Sequence, residues 1–334
     1  MTIRIAVFGA GRIGAVHARN AAALPGVEVA RLVDPGTDAT ALAREIGAQV
    51  GTAAGTLADA ELDGIIIASP TDSHAELLLA AAERGLAVFC EKPVSLDFPT
   101  VVRVTQAVEA AGIPCMIGFQ RRYDPNFRAV RERIASGVSG PLEQLLMQTR
   151  DPAPPPRAYV ARSGGMLRDQ AIHDFDQARY MLGEEIASVH AVGGALFDEG
   201  IAAEDDIDSL MVVMVSASGR MVQMANNRRS PLGYDQRLEA HCAREVLFVE
   251  NRPATDIRIA GPEGARTAPP MDYFISRFAE AYRAEMAAFA ALIREGTPPL
   301  ATIRDGLEAQ RLAEAARVSI RTGRPVALTP GWMP

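Results

Sequence analysis

Cysteine is scarce. Cys90, Cys115 and Cys242 are the only three in 334 residues, odd in number and without a C-x-x-C pair, which excludes a disulfide scaffold and a thiolate zinc site and suits core thiols in a reducing cytoplasm. An excess of positive charge is missing as well: thirty-four Lys and Arg face forty-one Asp and Glu, a net charge of −7 with no basic run, so a nucleic-acid partner is not expected. Long apolar runs are absent too. The uncharged stretch from Ser209 to Gly219 falls well short of the ~20 residues needed to span a bilayer, and no membrane partner is expected. Near the N-terminus, Arg4 and Arg12 bracket a seven-residue apolar run, too short for a secretory signal, so the expected location is the cytoplasm. What is present is ordinary globular composition, 48% hydrophobic and 22% charged. At roughly 100 to 200 residues per domain, the length points to two domains.

The first 120 residues alternate strand and helix. Ile3 to Phe8, Val27 to Val33, Gly64 to Ala68, Leu86 to Cys90 and Ile113 to Phe119 read as strands, the third a run of isoleucine suited to a parallel strand buried on both faces. Helices are expected at Arg12 to Leu24, from Ser73 to a stop at Gly85, and from Asp97 to Ala111 with a stop at Gly112; Ser73 and Glu76 have the spacing of a capping box. This alternation predicts a doubly wound parallel sheet, a Rossmann domain over residues 1–120. The pattern then changes. After a helix at Asn126 to Ala135, strand-like segments follow at Gln144 to Thr149, Ser188 to Ala195, Ser209 to Ser216, Arg220 to Ala225, Gln236 to His241 and Glu245 to Val249, a largely antiparallel sheet in an α+β domain over residues 121–334. Helices at Ile275 to Ile293 and Ile303 to Thr322 finish the chain. Asp151 to Pro156, with four prolines in six residues, reads as a loop.

Gly9-Ala10-Gly11-Arg12-Ile13-Gly14 matches G-x-G-x-x-G directly after a strand and at the opening of a helix, where it binds a dinucleotide: the glycines allow the tight turn, the approach of the pyrophosphate and close helix–strand packing. Asp34 ends the second strand, placed to bind the adenosine ribose hydroxyls. A 2′-phosphate near it would meet a like charge, at a cost of about 4 kcal/mol for 4 Å and an effective dielectric of 20. Pro35 and Gly36 offer no compensating cation, so NAD is expected rather than NADP.

Glu91-Lys92-Pro93 lies just beyond a strand's carboxyl end, where open α/β sheets bind ligands. The second cluster runs from Gly164-Gly165 to Asp176. At 100° per residue, with Asp169 at zero, His173 falls at about 40°, Asp176 at about −20° and Tyr180 at about 20°, while Ile172, Phe175, Ala178 and Leu182 take the arc from about 180° to 300°. That pattern predicts one titratable face and one core face.

Taken together, the glycine motif, the E-K-P tripeptide and the Gly-Gly…Asp-x-x-x-His segment resemble the glucose-fructose oxidoreductase, inositol dehydrogenase and MocA family. Gly118-Phe119-Gln120-Arg121-Arg122-Tyr123-Asp124 and Gly233-Tyr234-Asp235-Gln236-Arg237 are similar to its inositol-type members. The resemblance implies NAD-dependent oxidation of a cyclitol secondary alcohol to a ketone, myo-inositol to 2-keto-myo-inositol above all, by Lys92, Asp169 and His173, with Asp169 orienting the imidazole or holding a ring hydroxyl. For that implied reaction the proton acceptor should titrate near neutrality; an ordinary His lies near 6.5 and an ordinary Lys near 10.4, which favours His173 as base with Lys92 as alkoxide stabiliser, while a relay in which Lys92 takes the proton first stays open. It also implies a cofactor set of Gly9, Gly11, Arg12, Ile13, Gly14, Asp34, Ser69, Thr71, His74 and Glu91, polyol contacts at Arg121, Asp151 and Tyr234, no metal, and a homotetramer packed through the open face of the second sheet. Other inositols, an aldose, or a sugar acid whose carboxylate meets Arg121 or Arg122 remain alternative substrates. A dinucleotide sensor without turnover and a metal hydrolase built on Asp169, His173 and Asp176 are more distant alternatives.

Overall fold

The computed structural model describes residues 2–36, 38–329 and 331–334. The elements run β1 (Ile3–Phe8), α1 (Arg12–Ala22), β2 (Val27–Val33), α2 (Thr40–Ile46), β3 (Gln49–Val50), α3 (Ala53–Leu57), β4 (Gly64–Ile67), α4 (His74–Arg84), β5 (Ala87–Cys90), α5 (Phe98–Ala111), β6 (Cys115–Ile117), α6 (Pro125–Ala135), β7 (Leu142–Arg150), α7 (Arg157–Ser163), α8 (Gly165–Asp169) and α9 (Ile172–Leu182). They continue with β8 (Ile186–Gly194), α10 (Glu199–Ala202), β9 (Ser209–Ser216), β10 (Met221–Asn227), β11 (Asp235–Cys242), β12 (Val246–Val249), β13 (Arg258–Gly261), β14 (Gly264–Thr267), α11 (Phe274–Arg277), α12 (Ala279–Glu295), α13 (Ile303–Thr322) and β15 (Val326–Ala327). These form two compact units: residues 1–124 with 280–308, and residues 125–279 with 309–334.

In the first unit, six parallel strands take the order β3-β2-β1-β4-β5-β6. The strand order reverses beside β1, the switch point at which open α/β sheets bind nucleotides. All four residues of β4 are buried, as a strand between two helical layers must be. The Asp97 side chain caps α5 by accepting from the Thr100 N–H, worth about 1 kcal/mol. Ser73 does not cap α4: its hydroxyl donates to the Pro70 carbonyl at 2.8 Å and meets Ser69 Oγ at 2.6 Å, because a short 3-10 turn at Thr71–Ser73 precedes the helix and puts Ser73 itself in a helical conformation. The expected capping box is therefore not formed.

The second unit carries a seven-stranded sheet of order β12-β11-β7-β10-β9-β8-β15. Its one parallel pair is β7 with β10; the other neighbours run antiparallel. Inward residues such as Leu145, Met147, Val212, Met214, Val222, Met224 and Leu238 alternate with outward ones. The outward positions include Val192, Met211, Val213, Met221 and Phe248, all exposed. The hairpin β13–β14, which no period in the sequence marks, is exposed along both strands. All three cysteines are buried, and burial pushes the Cys115 thiol up to about 12. No helix among the described residues is long and apolar enough to cross a membrane.

Candidate active site

The turn from β1 into α1 is shaped by its glycines. Gly9 has φ +105°, and a Cβ there would lie 2.4 Å from the Ala68 carbonyl oxygen; one at Gly14 would lie 2.1 Å from the Gly9 oxygen. No side chain larger than hydrogen fits either place. Gly11, at the N-terminus of α1, has nothing within 4 Å of such a Cβ, so the approach to the helix N–H groups is open, as a bound pyrophosphate requires. Arg12 is exposed and Ile13 half-buried beside it. Asp34 stands at the end of β2 with both carboxylate oxygens engaged, Oδ2 accepting from the Ala10 N–H at 2.7 Å and Oδ1 from the Gly36 N–H at 2.8 Å. Asp34, the acid expected at the ribose, is thereby tied to the glycine turn expected at the phosphates, and the cradle fits a dinucleotide.

Across the switch point, Ser69 and Thr71 are half-buried after β4. His74 is not a surface group: its ring is buried, with Nδ1 2.8 Å from the Pro93 oxygen and Nε2 2.8 Å from the Ser69 oxygen. Burial pushes its pKa down, against the pull of the two carbonyls. His74 is thus a clasp between two loops, and its effect on a cofactor would pass through them. Beyond β5, Glu91 and Lys92 are half-buried and the Lys92–Pro93 peptide is cis. Glu91 accepts from His17 Nε2 at 2.7 Å and from the Lys92 N–H at 3.3 Å. Arg121 and Arg122 occupy a turn before α6 and are both buried. Arg122 pairs with Asp305 at 3.0 Å and donates to the Leu300 carbonyl. These two bonds tie Arg122 to the segment that leads into α13.

In the second unit, Asp169 and His173 do not share one helix. Asp169 closes α8, Gln170 and Ala171 form a break, and His173 lies in the first turn of α9, so the angular projection across residue 170 fails. Nor is the α9 face carrying Asp176 open: Asp174, Asp176, Gln177 and Arg179 are all buried, while His173 and Tyr180 stay half-exposed. The break is held from several sides. Gly164 and Gly165 have φ +83° and +79°, and a Cβ on Gly165 would meet Asp206 Oδ1 at 2.7 Å; that oxygen caps α8 by accepting from the Met166 N–H at 2.8 Å. Asp206 also pairs with the buried Arg228 at 3.0 Å.

Three groups around this break carry no sequence motif of their own. Tyr159 on α7 donates to Asp169 Oδ1 at 2.8 Å. Gln170 donates to Asp151 Oδ2 at 2.7 Å, which joins the break to the proline-rich loop. Asp174, next to His173, accepts from Thr149 Oγ1 at 2.6 Å and from Asn226 Nδ2 at 2.7 Å, pinning α9 to β7 and β10 through a fully buried carboxylate. Tyr234 is buried, its ring edge-on to Phe278 at 6.2 Å. Among the described residues no cluster of three or more His, Cys, Asp or Glu is arranged to hold a metal ion.

Comparison with known proteins adds the following. Residues 3–119 match the oxidoreductase family with an NAD-binding Rossmann fold, and residues 127–247 match the GFO/IDH/MocA C-terminal domain. The inositol 2-dehydrogenase of Rhizobium meliloti is 41% identical, over 98% of this chain and 100% of its own length. The myo-inositol 2-dehydrogenase of Thermotoga maritima is 35% identical over 98% of each chain. The crystal structure of a myo-inositol dehydrogenase from Corynebacterium glutamicum superposes with a TM-score of 0.95 at 40% identity, covering 99% of this chain and 100% of that one.

Proposed function

Because the chain belongs to the GFO/IDH/MocA oxidoreductases and carries their NAD-binding Rossmann domain, we propose that it oxidises a secondary alcohol of a cyclitol to a ketone, with myo-inositol giving 2-keto-myo-inositol as the principal reaction. The observation that supports this substrate is the full-length likeness to enzymes named for inositol. NAD would be held at the β1–α1 turn by Gly9, Gly11, Arg12, Ile13 and Gly14 and at Asp34, and would supply the hydride acceptor. Ser69, Thr71 and Glu91 would complete its binding set, with His74 holding the loops that carry them.

In this reading the Lys92 ammonium and the His173 imidazole act on one alcohol oxygen. The imidazole accepts the hydroxyl proton, since an ordinary histidine titrates close to working pH, and the ammonium stabilises the charge that develops on oxygen. Asp169, held by Tyr159, orients the ring or a neighbouring hydroxyl. Arg121, Asp151 and Tyr234 hold the remaining hydroxyls of the polyol. The first unit, residues 1–124 with 280–308, serves the cofactor, and the second unit the substrate and assembly, the latter as a homotetramer through the outward face of the seven-stranded sheet. The buried thiols suit a cytoplasmic setting.

The test is direct. Lys92→Ala and His173→Ala should each lower kcat for myo-inositol by about 10²- to 10⁴-fold, while NADH binding, followed by fluorescence, persists. Near wild-type oxidation by both variants would refute the assignment. Initial rates with NAD across a panel of inositols, aldoses and sugar acids rank the substrates, and failure of every cyclitol would refute the class.

A further inference from the structure

The first unit buries two titratable groups that the reaction above does not use, His17 and Glu285. His17 lies on α1, three residues after Gly14, with no exposed surface. Its Nε2 sits 2.7 Å from Glu91 Oε1; an ionised carboxylate only accepts, so Nε2 carries the hydrogen. The ring is fixed by edge contacts with Phe89 at 4.8 Å and Tyr282 at 5.7 Å between centroids. On the far side of the carboxyl, a Cβ at Gly118 would stand 3.0 Å from the Glu91 carboxyl carbon, so Glu91 is gripped between α1 and the end of β6. One turn beyond Tyr282 on α12, Glu285 is wholly buried, and neither of its carboxyl oxygens has a hydrogen-bond partner among the described residues. Burial, and then the charge of Glu91, push its carboxyl far above the usual range. Its neutral form is thereby favoured, and Glu91 is the carboxyl bonded to the imidazole.

We propose that His17 is a positioning residue for Lys92: by holding the Glu91 carboxylate it fixes the backbone turn from which the Lys92 ammonium projects, and it couples that turn to the helix that receives the cofactor phosphates. The inference rests on the reading that Lys92 takes part in turnover. A displaced ammonium costs rate rather than ground-state affinity, because misplacement by about 1 Å can cost up to 10²-fold in the chemical step.

The test pairs two amides of similar size. In His17→Gln the amide nitrogen reaches the place of Nε2 and can still donate to Glu91; in His17→Asn it reaches only the place of Nδ1. H17Q should retain most of kcat. H17N should lose about tenfold or more, with KM for myo-inositol and the fluorescence Kd for NADH within about threefold of wild type. Equal kcat for H17N and H17Q overturns the proposal, as does a parallel loss of NADH binding and rate in H17N, which marks a purely structural role. A Lys92→Ala variant measured alongside separates the two levels. If it keeps its rate, the reading itself fails; if it is inactive while H17N is not impaired, only the role of His17 fails.

Discussion

Asp34 and Glu285 show how two buried or half-buried acids of one unit take opposite tasks. Asp34 accepts two backbone N–H bonds, and in its proposed place beside the ribose it should select against a 2′-phosphate. Asp34→Ser is expected to lower the ratio of kcat/KM for NAD to that for NADP by about tenfold or more, since even a third of the ~4 kcal/mol repulsion between like charges at 4 Å corresponds to one decade. An unchanged ratio would remove Asp34 from cofactor selection. Glu285 acts through its proton. Its folded pKa is raised by burial and by Glu91, whereas an unfolded Glu titrates near 4.3. The folded state thus binds the extra proton, stability is fully present below about pH 4.3, and it declines as pH rises toward the folded value. Glu285→Gln removes that dependence. Its Tm relative to wild type should climb between about pH 4.5 and pH 8, by about 2–4 °C per kcal/mol relieved; a pH-independent difference would show that Glu285 does not hold its proton.

Among the elements, α8 and α9 decide where His173 stands. Gly164-Gly165 marks their start in the sequence, but the break at Gln170–Ala171 contains no glycine or proline, and a 100° projection assumes it away. What holds the break is tertiary: Tyr159, Asp151 and Asp206 come from segments that periodicity cannot bring together. Asp174 is the clearest case. It reads as one more acid on a polar helix, yet it is buried between Thr149 and Asn226. Asp174→Ala leaves the buried Asn226 Nδ2 without its acceptor, at about 1–3 kcal/mol for an unsatisfied buried group, while Thr149 Oγ1 keeps Gln236 Oε1 at 3.4 Å. We expect a lower Tm and a fall in kcat as α9 loses its anchor, measured by thermal unfolding and initial rates; a variant with unchanged Tm would deny the anchor. By contrast β1, α1, β2, β9 and α13 were legible nearly residue for residue, because each carries a continuous period between clear stop signals. The region from α2 to α3 was not, since β3 has two exposed residues and no period can register in two.

For the whole molecule, the outward face of the seven-stranded sheet exposes Val192, Met211, Val213, Met221 and Phe248, Val192 and Met211 being cross-strand neighbours, and the proposed tetramer would cover that face. Val213→Glu and Met211→Glu should shift the protein to a smaller species in light scattering coupled to gel filtration, and an unchanged mass would exclude this face as the contact. Amphipathicity marks the apolar stripe of α12 but not the sheet that receives it. In the structure Gly64 packs against Phe289 and Ile293 of α12, and residues 280–308 belong with the N-terminal sheet, so that unit is assembled from two distant stretches of chain.

That discontinuity bears on biosynthesis. Domains commonly fold in order as the ribosome extrudes them, but here the cofactor-binding half cannot be finished when its sixth strand emerges. The pocket around Glu91 lacks a wall until Glu285 has been translated, more than 150 residues after β6. Nascent chains halted before that point should therefore lack a closed nucleotide unit, while those released after residue 308 should have one.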